Sequence, residues 1–227
     1  MKAITISAYG DVDQLHEEEL DIPQIANDEV LVKIKATSIN PIDWKARMGF
    51  LKQMYDWQFP VVLGWDLSGI ITQVGKDVKH FKVGDEVFAR PDIYEDGTKG
   101  TYAEYAAVKE DKLALKPSNV SFEAAAAIPL AGLTAWQVIV DRLKVKKGDK
   151  VLIQAGAGGV GIFAIQIAKH LGAYVATTAS AKNTEFLTNL GADEVIDYHE
   201  HQIGEVLKQY DAVFDTVDDL EAGLSNF

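Results

Sequence analysis

The segment 151–171 constrains the fold of this chain more than any other, because glycines there separate two apolar stretches. Residues Val151–Gln154 form a short apolar run of the kind found in buried strands. Four glycines within residues 156–161 follow, and then a second apolar stretch, Ile162–Leu171, which has the length of a helix and stops at Gly172. A G-x-G-x-x-G turn between a buried strand and a helix is typical of sites that bind the pyrophosphate of a dinucleotide.

Three glycines of this turn each occupy a position where a side chain would interfere with folding or binding. Gly156 permits the tight turn, Gly158 lets the backbone approach the pyrophosphate, and Gly161 lets the helix pack closely on the strand. The helix that follows offers free N–H groups and the positive end of its dipole to the phosphates. A turn without a ligand explains the pattern less well, because each glycine costs conformational entropy on folding. The turn residues predicted to bind the cofactor are Gly156, Gly158, Gly159, Val160 and Gly161.

The region after Lys150 alternates between strand and helix patterns. The strand patterns after the glycine turn are Tyr174–Thr178, Glu194–Ile196 and Ala212–Phe214, and a short helix pattern covers Thr184–Leu190. This alternation predicts an α/β fold with a doubly wound parallel sheet of the Rossmann type.

The first 110 residues instead have many short strand patterns with Gly and Asp turns, which predicts a compact β-barrel. The pattern changes near Pro117, and Ser121 is a suitable N-cap for a helix. We therefore predict two domains, 1–120 and 121–227. The apolar stretch Ala124–Val140 is predicted to be a buried helix, because polar residues and Pro129 interrupt it too often for a membrane span.

The segment that follows the strand pattern Tyr174–Thr178 predicts which nicotinamide dinucleotide is bound. Sites that prefer NAD place an acidic residue about 20 positions after the first glycine, where it holds the ribose hydroxyls. No Asp or Glu lies between Gly156 and Lys182. Ser180 and Lys182 can instead donate hydrogen bonds to a 2′-phosphate, which favours NADP(H). The alternative is an ordinary polar loop with a solvated lysine.

Composition excludes several other functions. The formal net charge is −12, whereas nucleic acids and anionic membrane surfaces attract clusters of Lys and Arg. The absence of cysteine rules out disulfides, a thiolate nucleophile and cysteine-ligated zinc. Residues 1–10 have no apolar run of signal-peptide length, so the expected location is the cytoplasm.

Several motifs, in order along the chain, resemble the medium-chain dehydrogenase/reductase superfamily. They are Asn40-Pro-Ile-Asp43, Gly64-Trp-Asp66-Leu-Ser-Gly69, Val83-Gly-Asp-Glu-Val87, Gly100-Thr-Tyr-Ala-Glu104, Gly132-Leu-Thr134-Ala135 and the glycine turn. The branch that the chain resembles is that of the zinc-independent quinone oxidoreductases, which includes zeta-crystallin. The resemblance implies a GroES-like β-barrel domain joined to a Rossmann domain.

The resemblance also implies that no metal is bound. The zinc ligands of metal-dependent members fall at Asn40 and Trp65, and neither side chain is a useful zinc ligand. The five histidines do not suggest a ligand cluster; they are His16, His80, His170, His199 and His201.

By the same resemblance, Asn40 lies beside the nicotinamide and Thr134 contacts its carboxamide. Asp43 is either a catalytic residue or a cap of the local backbone. Tyr198 either lies near the adenosine end of the cofactor or is a half-buried tyrosine at a strand end. A further set of aromatic residues either lines a pocket for flat quinones or only packs in the core: Trp44, Tyr55 and Trp65.

The implied activity is hydride transfer from NADPH to a quinone or a conjugated enone or enal, without metal. The alternative is a catalytically silent dinucleotide-binding or structural protein. A homodimer is a further expectation. Only Asp218–Phe227 follow the last strand pattern and the turn after it, so the sequence is expected to end before a complete doubly wound sheet is formed, since one crossover unit needs roughly 30 residues.

Overall fold

The computed structural model describes residues 1–55, 57–92, 99–201 and 209–217. The chain divides into two compact units, Met1–Leu130 and Ala131–Phe227. Each unit is built from its own sheets and has its own hydrophobic core. The domain boundary after residue 120 stays a prediction, since compactness alone does not define a domain.

The N-terminal unit contains two antiparallel sheets. The first has the order β2-β1-β4, with β1 at Lys2–Ile6, β2 at Leu15–Glu19 and β4 at Val61–Val62. The second has the order β7-β3-β5-β6-β8, with β3 at Glu29–Thr37, β5 at Leu67–Val74, β6 at Glu86–Ala89, β7 at Tyr105–Lys109 and β8 at Leu113–Leu115. Its helices are α1 at Pro41–Arg47 and α2 at Phe122–Ala126.

Irregular pairing bends the larger sheet. The β3–β5 register shifts between Leu31 and Val32 and again between Ile34 and Ala36. Such irregularities increase the local twist of a strand pair, so the sheet curls around its apolar face. An isolated antiparallel bridge pairs Ala3 of β1 with Ala103, which precedes β7. The antiparallel pairing of Thr37 with Leu67 places the end of β3 next to the start of β5, and the polar residues described below lie there.

The C-terminal unit is a parallel sheet with the order β11-β10-β9-β12. The strands are β9 at Lys150–Ile153, β10 at Tyr174–Ala179, β11 at Glu194–Asp197 and β12 at Ala212–Phe214. Helix α4 at Gly159–His170 connects β9 to β10, and α5 at Thr184–Asn189 connects β10 to β11. Both faces of β9 are buried: Val151 and Ile153 pack in the cluster that contains α4, and Leu152 packs on the other face. The predicted alternation of strands and helices is confirmed.

The stretch Ala124–Val140 is not one helix, which corrects the sequence-based expectation. Helix α2 ends at Ala126, α3 covers Pro129–Trp136, and residues 137–142 form a wider π-helical turn. Pro129 explains the break, because proline lacks an N–H and is tolerated only in the first turn of a helix. No helix in the described part of the chain is long and apolar enough to cross a membrane.

Candidate functional site

Side chains from β10 hold the glycine turn that follows β9. The Thr177 hydroxyl donates a hydrogen bond to the Ile153 carbonyl at 2.6 Å. The next residue, Thr178, accepts one from the Ala155 N–H through its hydroxyl and one from the Gly156 N–H through its carbonyl, each at 3.0 Å. Ala155 itself has a positive φ of 49°, so the chain reverses sharply here. The neighbouring strand therefore fixes the turn before any ligand binds.

The space around each glycine shows which positions the fold itself requires. A Cβ on Gly156 would lie 2.0 Å from the Thr177 hydroxyl oxygen, and one on Gly161 would lie 2.4 Å from the Ala155 carbonyl oxygen. Neither methyl group fits without a rearrangement. A Cβ on Gly159, in contrast, would meet nothing within 4 Å. Packing therefore requires Gly156 and Gly161, whereas Gly159 borders open space at the start of α4.

This arrangement fits the phosphates of a dinucleotide. Helix α4 is 12 residues long, and its first turn consists of Gly159, Val160 and Gly161. The N–H groups of a first turn have no carbonyl within the helix to bond, and they face outward along the positive end of the helix dipole. The open space at Gly159 lies at this end of the helix, so a phosphate can approach the N–H groups.

The loop after β10, which carries Ser180 and Lys182, is ordered by an acidic residue from the next strand. Asp197 accepts hydrogen bonds from the Ala181 N–H at 3.0 Å and from the His199 N–H at 2.9 Å. The Ser180 hydroxyl accepts a 3.3 Å hydrogen bond from the Asn183 side chain, and Lys182 is exposed. Asp197 pairs with Ala179 across the sheet, although 18 residues separate them, so no signal in the sequence indicated that it contacts this loop.

Two other predicted residues of the C-terminal unit are exposed. Tyr198 is 51% exposed, and its ring centroid lies 4.4 Å from that of His199. Thr134 is on the exposed side of α3, between the exposed side chains of Leu133 and Trp136. The predicted contacts of Tyr198 and Thr134 with a cofactor stay predictions.

In the N-terminal unit, two buried carboxylates hold Asn40. The Asn40 backbone N–H donates to Asp43 Oδ2 at 2.5 Å, and the Asn40 side-chain Nδ2 donates to Asp66 Oδ2 at 2.7 Å. Asp66 also accepts hydrogen bonds from the Ser38 hydroxyl at 2.5 Å and from the Leu130 N–H at 2.7 Å. Asp43 therefore does cap the local backbone. Through the same contact, its side chain is hydrogen-bonded directly to Asn40.

Burial shifts the pKa values of these acids. It raises the pKa of Asp43 from 3.8 to about 6, against the hydrogen bond from Asn40 and with a further increase from the charge of Asp66. Burial also raises the pKa of Asp66, and the hydrogen bonds from Ser38 and Asn40 oppose that shift. The pKa of the Tyr102 phenol is raised, first by burial and then by the negative charge of Asp43.

Asp66 and Ser38 are polar residues of this network that were not assigned a role from the sequence. Asp66 lies within the quoted motif Gly64–Gly69, and it is fully buried. The available signal was an ionisable residue inside the apolar run 61–67, since buried charges need hydrogen-bonding partners. Ser38 gave no such signal, because a serine after a strand is common in loops.

The aromatic residues divide between core and surface. Trp65 is fully buried, and its ring lies 6.3 Å from that of Trp57, so it packs in the core. Tyr55 stacks on Trp57 with ring centroids 5.5 Å apart. Trp44 is 44% exposed and packs edge-to-face against Phe50 at 5.9 Å.

Comparison with known proteins places the chain in a family. Residues 26–118 match the family model described as alcohol dehydrogenase GroES-like domain, and residues 159–222 match the model described as zinc-binding dehydrogenase. The chain is 44% identical over 223 residues to the NADPH-dependent alkenal/one oxidoreductase, chloroplastic, of Arabidopsis thaliana. It is 43% identical over 225 residues to 2-methylene-furan-3-one reductase of Solanum lycopersicum. Each alignment covers 96% of this chain and 57% of the relative.

The residues at the metal-ligand positions do not fit the zinc named in the second family description. Asn40 binds the two carboxylates, and the Trp65 ring is buried in the core. Within the described ranges, no three His, Asp or Glu side chains are placed to share a metal ion. We therefore assign no step to zinc.

Solved structures give the same assignment. The quinone oxidoreductase of Coxiella burnetii superposes with a TM-score of 0.90 at 39% identity, over 99% of this chain and 71% of that one. The Escherichia coli quinone oxidoreductase complexed with NADPH superposes with a TM-score of 0.78 at 33% identity, over 90% of this chain and 61% of that one. The chain therefore belongs to the medium-chain dehydrogenase/reductase superfamily, in its quinone oxidoreductase branch, with a GroES-like domain followed by a Rossmann-type parallel sheet.

Proposed function

We propose that the protein to which this chain belongs binds NADPH and reduces a quinone or a conjugated enone or enal without a metal. The observation that carries this proposal is the glycine turn after β9, in which packing requires Gly156 and Gly161 and Gly159 borders open space at a helix N-terminus. The names of the relatives supply the substrate class. Because the chain spans 57% of the length of the first relatives, the activity is proposed for the whole protein.

The proposed binding roles follow the order of the cofactor's parts. The N–H groups of Gly159, Val160 and Gly161 hold the pyrophosphate, with Gly156 and Gly158 shaping the turn beneath it. Ser180 and Lys182 bind the 2′-phosphate, for which a hydroxyl and an ammonium group are suitable donors. Tyr198 is assigned to the adenosine end, and Thr134 to the carboxamide of the nicotinamide.

Bound NADPH supplies the hydride, and the chain supplies orientation and charge stabilisation. A carbonyl oxygen gains negative charge as the conjugated system accepts the hydride, so a hydrogen-bond donor held beside it lowers the barrier. Asn40 is the proposed donor, and Asp43 fixes its backbone. Water is the proposed source of the proton that completes the reduction.

A binding measurement and an activity measurement together test the proposal. NADPH binding is followed by fluorescence titration, and oxidation of NADPH is followed by its absorbance with a panel of quinones and 2-alkenals. The test variant is Asn40→Ala, which should fold as the unmodified protein does and lose most of the turnover. Faster turnover of ethanol than of every quinone and alkenal would refute the proposed substrate class. Tight NADPH binding with no turnover of any acceptor would instead indicate a catalytically silent dinucleotide-binding protein.

The cytoplasm and a homodimer remain the proposed location and assembly. The Arabidopsis relative carries the word chloroplastic in its name, so cell fractionation is needed to test the location. Light scattering of the purified chain tests the dimer.

A further inference from the structure

Two acceptor atoms near the Asn40 amide nitrogen show how its protons are used. Asn40 Nδ2 lies 2.7 Å from Asp66 Oδ2 and 3.3 Å from Ser38 Oγ, and those two oxygens are 2.5 Å apart. These distances place the two acceptors roughly 50° apart as seen from Nδ2, whereas the two N–H bonds of an amide diverge by about 120°. Asp66 and Ser38 therefore share a single N–H of Asn40. The second N–H is not used by this network.

The donors around Asp66 fix which way the amide faces. Asp66 receives hydrogen bonds from the Ser38 hydroxyl, the Leu130 N–H and the Asn40 amide. Both Asp66 side-chain oxygens already accept hydrogen bonds from neighbouring donors, so the NH2 end of Asn40 is the end that can face them. A rotation of the amide by 180° would bring the Asn40 carbonyl oxygen against a carboxyl oxygen, with no donor between the two.

We propose that Asp66 is a positioning residue for the reduction proposed above, and that it acts through Asn40. By engaging one N–H, Asp66 holds the other in a single orientation, ready to donate to a carbonyl oxygen of the bound reactants. The oxygen belongs either to the substrate or to the carboxamide of the nicotinamide. A donor that is already oriented needs no reorganisation during the reaction, which is the main source of electrostatic stabilisation in active sites. This inference rests on the proposed function.

The first experiment needs no activity. The Asn40 side-chain amide is observed by 1H–15N NMR and assigned by the loss of its signals in Asn40→Ala. The expected result is one proton that is shifted downfield and exchanges slowly, because it is buried against a carboxylate. Asp66→Asn should remove this proton's protection, since a neutral amide donates as well as accepts, whereas Ser38→Ala keeps the Asp66 contact and should preserve it. A fast-exchanging Asn40 amide in the unmodified protein overturns the proposal, even if Asp66→Asn does not fold.

The second experiment is a double-mutant cycle on turnover. Asp66→Asn and Asn40→Ala are each expected to lower kcat by about tenfold or more, and the double variant should be no slower than Asn40→Ala alone. Losses that multiply would overturn the proposal, because Asp66 would then act independently of Asn40. A loss in kcat alone assigns the contact to the substrate oxygen, and a parallel loss of NADPH affinity assigns it to the carboxamide. If no acceptor is turned over by the unmodified protein, the proposed function fails, and the NMR result still decides the positioning role.

Discussion

A substitution at Gly161 separates the packing role of the glycine turn from its binding role. Gly161→Ala would place a methyl carbon 2.4 Å from the Ala155 carbonyl oxygen and 2.8 Å from both Cα and the carbonyl oxygen of Gly156. All three are backbone atoms, so no side-chain rotation can relieve the contact. The turn itself is anchored to Thr178 by the Gly156 N–H.

The expected cost follows from this geometry. The methyl group reaches an ordinary van der Waals separation only if α4 and the turn move apart by roughly 1 Å, in a core that is packed at crystal-like density. Insertions of this kind cost typically 1–3 kcal/mol, and we expect about 3 kcal/mol here because the obstacle is backbone. For a domain of this size that corresponds to a fall in Tm of roughly 12–24 °C for the C-terminal unit.

Gly159→Ala is the matched control, because it adds the same methyl group two residues away. Its Cβ would meet nothing within 4 Å, and alanine favours a helix over glycine by about 0.5–1 kcal/mol. We therefore expect unchanged or slightly raised thermal stability. NADPH affinity should nevertheless fall by about tenfold, because the methyl group occupies the space assigned to a phosphate.

The assay is thermal unfolding followed by circular dichroism, together with NADPH titration of each variant. A Gly161→Ala protein that melts at the unmodified temperature would show that the packing argument is wrong. A Gly159→Ala protein with unchanged NADPH affinity would show that no phosphate lies at the start of α4.

Three other predictions test cofactor choice, charge burial and metal dependence. Lys182→Ala should reduce the preference for NADPH over NADH several-fold in a binding titration, since a charge-assisted hydrogen bond contributes about 1–3 kcal/mol. The control is Lys146→Ala, a lysine before β9, which should leave the preference intact. The folded pKa of Asp43 is about 6 against 3.8 ordinarily, so the folded state holds the proton more tightly, and the contribution of this group to stability falls as the pH rises between these values. Asp43→Asn removes that dependence. The free energy of unfolding of this variant, relative to that of the unmodified protein, should therefore rise by up to about 3 kcal/mol from pH 4 to pH 7. If urea unfolding gave the two proteins the same pH dependence, this prediction would be contradicted. Dialysis against EDTA should leave NADPH oxidation unchanged, and a loss restored by zinc would show that a metal is required.

The sequence alone determined the local elements that build the cofactor site. The run Val151–Ile153, the glycines at 156–161 and the apolar stretch after them identified β9, the turn and α4, because strand burial, turn formation and helix formation are governed by neighbouring residues. The break at Pro129 was also visible locally, and the expectation of one helix there gave too little weight to proline.

Only the tertiary structure decided which polar groups meet. Asp66 lies 26 residues from Asn40, and Thr177 lies 24 residues from Ile153, so their hydrogen bonds depend on strand pairing and sheet curvature. Asp197 reaches Ala181 in the same way, from a neighbouring strand. The sequence shows that a buried carboxylate must find donors, because desolvation without them is costly, but the partners are selected by how the distant segments pack.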